Sequence, residues 1–165
     1  NSYISCKFTI NSDQTEHDSH VFTNVSDIIN VTFSPVASLA CKATIVAIGG
    51  GGRGNNGQGG GGSGFVKRVV TDVSETEYQV SVGQYKQNSF VRNSFGQIII
   101  TAQSGVDAGS TGSYSGGSGY SGGGSGSTGG SSNAGDGGSD GSDGYGTCCG
   151  GIGSDLDIST ISLEH

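Results

Sequence analysis

An apolar, β-branched run, Ile45-Val46-Ala47-Ile48, enters a tract from Gly49 to Gly64 that is mostly glycine, and a second apolar run, Phe65-Val66, leaves it. A flexible linker would separate two units. Here both flanks have the character of strands in one unit, so the tract reads as an excursion from that unit. A second glycine-rich stretch, 105–153, repeats the theme. Segments 49–64 and 105–153 together hold 32 of the 34 glycines. The other 100 residues hold 32 of the 34 Leu, Ile, Val and Phe. The 165-residue chain is therefore read as a single β domain, 1–165, carrying two glycine-rich insertions. A core of that size gains from additional staples.

The core-building part alternates at period two. In residues 3–10, Ile4, Cys6, Phe8 and Ile10 share one face and Tyr3, Ser5, Lys7 and Thr9 the other, as in a half-buried strand. Residues 11–20 contain no apolar side chain and read as a solvated leash. A terminal amphipathic strand on such a leash can pair within its own subunit or add to a neighbour's open edge. Residues 1–20 are thus a candidate donor strand with its leash, the assembly face being Ile4, Cys6, Phe8 and Ile10. Residues 21–33 have strand character; if continuous, they place Asn24 and Asn30 on one face. Ser34-Pro35 ends that element. Further strands are expected at 39–48, with burial on both faces, at 64–70, 78–82, 89–92 and 97–102, and at 155–163. Residues 71–77 read as a polar turn, and Ser94-Phe95-Gly96 as another. No window sustains a 3.6-residue period, so no substantial helix is expected. Seven or eight short strands indicate an all-β fold of β-sandwich or jelly-roll type.

In segment 105–153 many glycines recur every third residue, as in Gly116, Gly119 and Gly122 or Gly135, Gly138, Gly141 and Gly144. That period suits an extended helix with three residues per turn, which packs closely on its neighbours only when glycine lines the contact. Collagen shares the period but requires abundant proline, and this chain has one. The expectation is a bundle of polyglycine-II helices drawn from both tracts.

The order of these pieces resembles a known family. Ile45 to Ile48, the tract Gly49 to Gly64, Phe65-Val66, Val80-Ser81-Val82-Gly83, Ser94-Phe95-Gly96 and Thr101-Ala102 look like the glycine-rich domains of bacteriophage tail-fibre adhesins. They are also similar to the glycine-rich region of anaplastic-lymphoma-kinase-type receptor ectodomains. The resemblance covers roughly residues 43–153. It implies a β-sandwich from which packed polyglycine-II helices project as a scaffold or recognition tip. The sequence departs from that pattern at Gln84-Tyr85-Lys86-Gln87, where a Gly-Gly is expected, and residues 1–42 have no counterpart in it.

Net charge is −7, with only seven basic residues. That charge argues against nucleic acid and anionic membrane surfaces as partners. No apolar stretch approaches the ~18 residues of a membrane span. Asn24-Val25-Ser26 and Asn30-Val31-Thr32 are N-glycosylation acceptor motifs within nine residues of one another. Cys6, Cys41, Cys148 and Cys149 are an even set in a small chain, which suggests disulfides and an oxidising, extracellular location. A bond within the adjacent pair Cys148–Cys149 would be strained. The favoured schemes send one of them to Cys41 and the other to Cys6, with Cys6–Cys41 as the remaining option.

No nucleophile, base and orienting group assemble into a catalytic set, so an enzyme is not expected. The tract lacks the Gly-Lys-Ser/Thr ending of a phosphate-binding loop. His17-Asp18-Ser19-His20 offers two imidazoles but reads as a solvated loop. Asp136, Asp140, Asp143, Asp155 and Asp157 fit no calcium-loop spacing, so calcium is a minor alternative and no cofactor or metal site is expected. Tyr114, Tyr120 and Tyr145 read as spacers. These features favour a structural subunit of a secreted, N-glycosylated extracellular filament or matrix, a homopolymer joined by β-strand addition. The alternative is a glycan- or protein-binding adhesin or receptor ectodomain module.

Overall fold

A computed structural model describes residues 6–25, 27–34, 41–53, 61–74 and 77–107. Within them the chain is all-β, with eight strands and no helix: β1 (Lys7–Ile10), β2 (Glu16–His17), β3 (Ile28–Ser34), β4 (Cys41–Ile48), β5 (Val66–Val73), β6 (Glu77–Ser81), β7 (Ser89–Asn93) and β8 (Ile98–Ala102). Six strands form an antiparallel sheet in the order β2-β1-β3-β6-β7-β8, and β4 and β5 form a separate antiparallel ribbon. The expected strand at 155–163 and the segment 108–153 lie outside the described residues.

Side-chain alternation decides which face is buried. On β3, Val31 and Phe33 enter the core while Asn30 and Thr32 face outward; in register beside them, Tyr78 and Val80 of β6 point inward and Gln79 outward. Tyr78 meets Phe33 edge-on, with ring centroids 5.2 Å apart. From the ribbon, Cys41, Ala47 and Val73 complete the same cluster. One apolar core thus lies between the six-stranded sheet and the ribbon.

Three local features differ from expectation. The polar leash is not wholly solvated connection: Asp13 and Gln14 donate backbone N–H groups to Ile10, Gln14 takes a left-handed φ of 55°, and Glu16–His17 return to pair with β1. His17 stacks on Phe8 with centroids 5.7 Å apart, and His20 lies 4.6 Å from Phe22. Residues 21–33 are not one strand: β3 starts at Ile28, so Asn24 sits in the preceding loop and shares no strand face with Asn30. Among the described residues strand β4 is not covered on both faces: only β5 pairs with it, only its inner face meets the core, and Ile48 is 56% exposed.

Strand β5 also continues through Thr71–Val73, residues expected to turn. The turn at Ser94-Phe95-Gly96 forms as expected. Asn93 Oδ1 accepts the backbone N–H groups of Phe95 and Gln97, and Gly96 takes a φ of 81°.

Cys6 and Cys41 are joined by a disulfide. This corrects the favoured schemes, which paired both with Cys148 and Cys149; those two lie outside the described residues. The bond ties the residue before β1 to the start of β4, where the Cys6 N–H also donates to the Lys42 carbonyl at 3.3 Å. It closes a sequence separation of 35 residues, which by loop entropy is worth about 3–4 kcal/mol.

Candidate functional site

The glycine tract leaves β4 as residues 49–53 and returns to β5 as residues 61–65. Residues 103–107, leaving β8, run beside them. These three segments bond to one another largely through backbone. Gly49 and Gly52 donate to the carbonyls of Phe65 and Gly62 at 2.9 and 2.8 Å. Gly62 and Phe65 donate to Val106 and Gln103 at 3.0 and 2.9 Å, and Gly105 donates to Gly50 at 2.9 Å. Bonds to one neighbour therefore recur every third residue, while the intervening residues face other neighbours. A repeat of three suits an extended helix with three residues per turn, whereas a strand repeats every two.

Closeness of the backbones explains the composition. A methyl group at Gly64 would fall on the Gly49 carbonyl, and one at Gly50 on the carbonyl of Gln84. Only hydrogen fits at such contacts, and every side chain larger than glycine's would push the segments apart.

The loop 83–87, between β6 and β7, forms a fourth wall. Gly50 donates to Gln87 at 2.9 Å and Lys86 donates its N–H to Gly51 at 3.2 Å. Lys86 takes a left-handed φ of 58° to do so, a conformation costing a non-glycine residue about 1–2 kcal/mol. The residues that depart from the glycine pattern, Gln84-Tyr85-Lys86-Gln87, thus dock on the bundle. Ser89 anchors the base of this loop. Its hydroxyl is buried, accepts from Gly83 N–H at 2.9 Å and donates to the carbonyl of Ile48.

Where residues 53 and 107 end the described bundle, Asp107 gathers three donors: the Arg53 N–H at 2.8 Å, the Tyr85 hydroxyl at 2.7 Å and the Lys86 ammonium at 2.7 Å. The Arg53 and Lys86 cations also lie over the Tyr85 ring, 5.9 and 5.7 Å from its centroid. These hydrogen bonds, the one from the Arg53 backbone foremost, lower the Asp107 pKa to about 2. The same carboxylate raises the pKa of both Tyr85 and Lys86 through their hydrogen bonds to it. Sequence reasoning missed this clasp and Ser89. The available signal was positional: Arg53 and Asp107 are the first charged residues met in each glycine-rich segment.

Of the anticipated assembly residues, Phe8 and Ile10 pack inward on β1, Cys6 is in the disulfide, and Ile4 lies outside the described residues. Asn24 donates its amide to Asp27 at 3.0 Å. Asn30 lies mid-strand on the outer face of β3, and its Oδ1 is buried with no hydrogen-bond partner among the described residues. His17 approaches Asp13 at 3.1 Å. Among the described residues no three His, Cys, Asp or Glu side chains converge as metal ligands do, and no helix is long and apolar enough to cross a membrane. Asp136, Asp140, Asp143, Asp155 and Asp157 lie outside the described residues. Comparison with protein-family models, with curated proteins and with solved structures finds no match.

Proposed function

We propose that this chain is a structural subunit of a secreted, N-glycosylated extracellular filament or matrix, assembled by β-strand addition between copies, with its glycine segments packed as polyglycine-II helices. The observation that carries the reading is the glycine bundle. It is a stiff element made almost wholly of backbone, presenting few reactive side chains, and it is mounted on a small stapled β core that resembles a sandwich. Two acceptor motifs and the Cys6–Cys41 bond support an extracellular setting.

The unit suited to exchange is the hairpin β1–β2 rather than a lone strand. Among the described residues its only strand partner outside the hairpin is β3, and residues 18–25 and 27, which lead to that partner, are not in strands. A second copy supplies the same hairpin contacts at little cost beyond ordering the connector. Cys6 travels with this hairpin and Cys41 stays with the acceptor. A strand-exchanged polymer is therefore covalently linked. Native material denatured without reductant should run as a ladder of multimers and collapse to monomer when reduced. Monomer alone without reductant, from material that is filamentous by electron microscopy, would rule out donation by this hairpin.

One observation favours the alternative, a glycan- or protein-binding module. The outer face of the six-stranded sheet carries an open groove of about 560 Å³ bordered by Ile28, Phe90 and Ile98. Saturable binding of a free glycan by a stable monomer would favour that reading.

A further inference from the structure

Strand register arranges the outer face around Asn30. Asn30 lies beside Gln79, and Gln79 beside Arg92. One step along the same face, Ile28 lies beside Ser81, then Phe90, then Thr101. Ile28 and Ile98 are each 50% exposed and border the groove with Phe90. The Arg92 guanidinium covers the Phe90 ring at 5.5 Å while its Nε donates to Gln79 at 2.7 Å.

The polar side chains near Asn30 pair with one another. The Thr32 hydroxyl donates to Asn11 at 3.0 Å, and the Asn11 amide donates to Glu77 at 2.7 Å. Asn30 Oδ1 is left buried and unpartnered among the described residues, which is costly unless a further group reaches it. The apolar groove and the orphaned amide lie on one face, two residues apart along β3. That spacing is roughly 7 Å along the strand, and Phe90 lies roughly 10 Å across two strand spacings.

We infer that the groove is the berth of an N-linked glycan carried by Asn30 of the same chain, so that this sugar is a packed part of the molecule. The inference rests on the proposal that the chain is N-glycosylated. Attachment uses a lipid-diphosphate-linked oligosaccharide as donor. The Asn30 Nδ2–C1 bond forms, the C1–O bond to phosphate breaks, the diphosphate leaves and one amide proton is released. The first sugars then lie along β3 toward Ile28 and Phe90. Their C–H faces cover the exposed apolar side chains, as sugar rings do on aromatic groups. Their hydroxyl and acetamido groups reach Gln79, Ser81 and Gln87. Asn24 differs: it sits in the loop before β3 and its amide is paired with Asp27. Its glycan would project into solvent.

Glycopeptide mass spectrometry of the native secreted chain first gives occupancy at both sites. Endoglycosidase release is then timed on the folded protein, beside Phe90→Ala and, because Ile28 is half exposed and tolerant, Ile28→Ser. The Asn30 glycan should leave about tenfold more slowly from the wild type than from either variant, the size of effect expected for one aromatic or aliphatic contact and its buried area. Release at Asn24 should not change. Equal release from wild type and variants overturns the berth and leaves glycosylation standing. A bare Asn30 beside an occupied Asn24 does the same. Two bare sites overturn the glycosylation reading together with the berth.

Discussion

Asp107 holds three chain segments that are far apart in sequence: the first glycine segment through Arg53, the β6–β7 loop through Tyr85 and Lys86, and its own. Its folded pKa of about 2 lies below the ordinary 3.8. The carboxylate therefore stabilises the fold above 3.8, and the contribution is lost as pH falls through about 2. Thermal unfolding followed across that window should show the melting temperature of the wild type falling more steeply than that of Asp107→Asn. Parallel profiles would mean that the clasp contributes no charge-dependent stability. Glycine positions divide by a different test. Gly96→Ala places a side chain in open space at positive φ and should cost about 1 kcal/mol. Gly64→Ala drives a methyl into the Gly49 backbone and should cost roughly 1–3 kcal/mol. Denaturant unfolding of both variants should place Gly64→Ala lower.

At the scale of elements, the ribbon β4–β5 is fastened to the six-stranded sheet at both ends of β4. The Cys6–Cys41 bond holds the start, and Ser89 holds the end through the Ile48 carbonyl. Ser89→Ala leaves the Gly83 N–H and that carbonyl without their partner, and should cost roughly 1–3 kcal/mol. Hydrogen exchange should report faster opening at Gly83 and Gly49–Gly50 in that variant, with β3 unchanged. Uniform loss of protection would mean that Ser89 acts on the whole core. Strands with clean alternation, β1, β3, β6 and β7, were legible because their inward residues recur at period two and face a real core. Strand β2 was not, since Glu16-His17 has no apolar pattern and is set by the turn at Asp13 and Gln14. Burial of β4 was overestimated because an apolar run does not reveal how many strands will flank it.

For the molecule as a whole, the sequence made the glycine tract readable as an excursion from one unit, because apolar strands border it on both sides. Its backbone bonding to residues 103–107 and to the β6–β7 loop follows from that position. The clasp and the outer-face groove were not readable. Each is a tertiary juxtaposition of residues whose local spacing carries no signal: Arg53 with Asp107, and Ile28 with Phe90 and Ile98. The cysteine pairing was equally hidden, since spacing alone does not choose among partners.

Residues 53, 61 and 107 meet at the same end of the bundle, and residues 49, 65 and 103 meet at the end joined to the sheets. Tension that draws one segment outward while its neighbours stay anchored in the sheets is therefore directed along the segments. The backbone bonds between them are loaded side by side in shear, so rupture requires several to fail together. A peeling load would take them in turn. The arrangement gives a small, marginally sized domain a direction in which it is mechanically strong, independent of how stable its core is to heat.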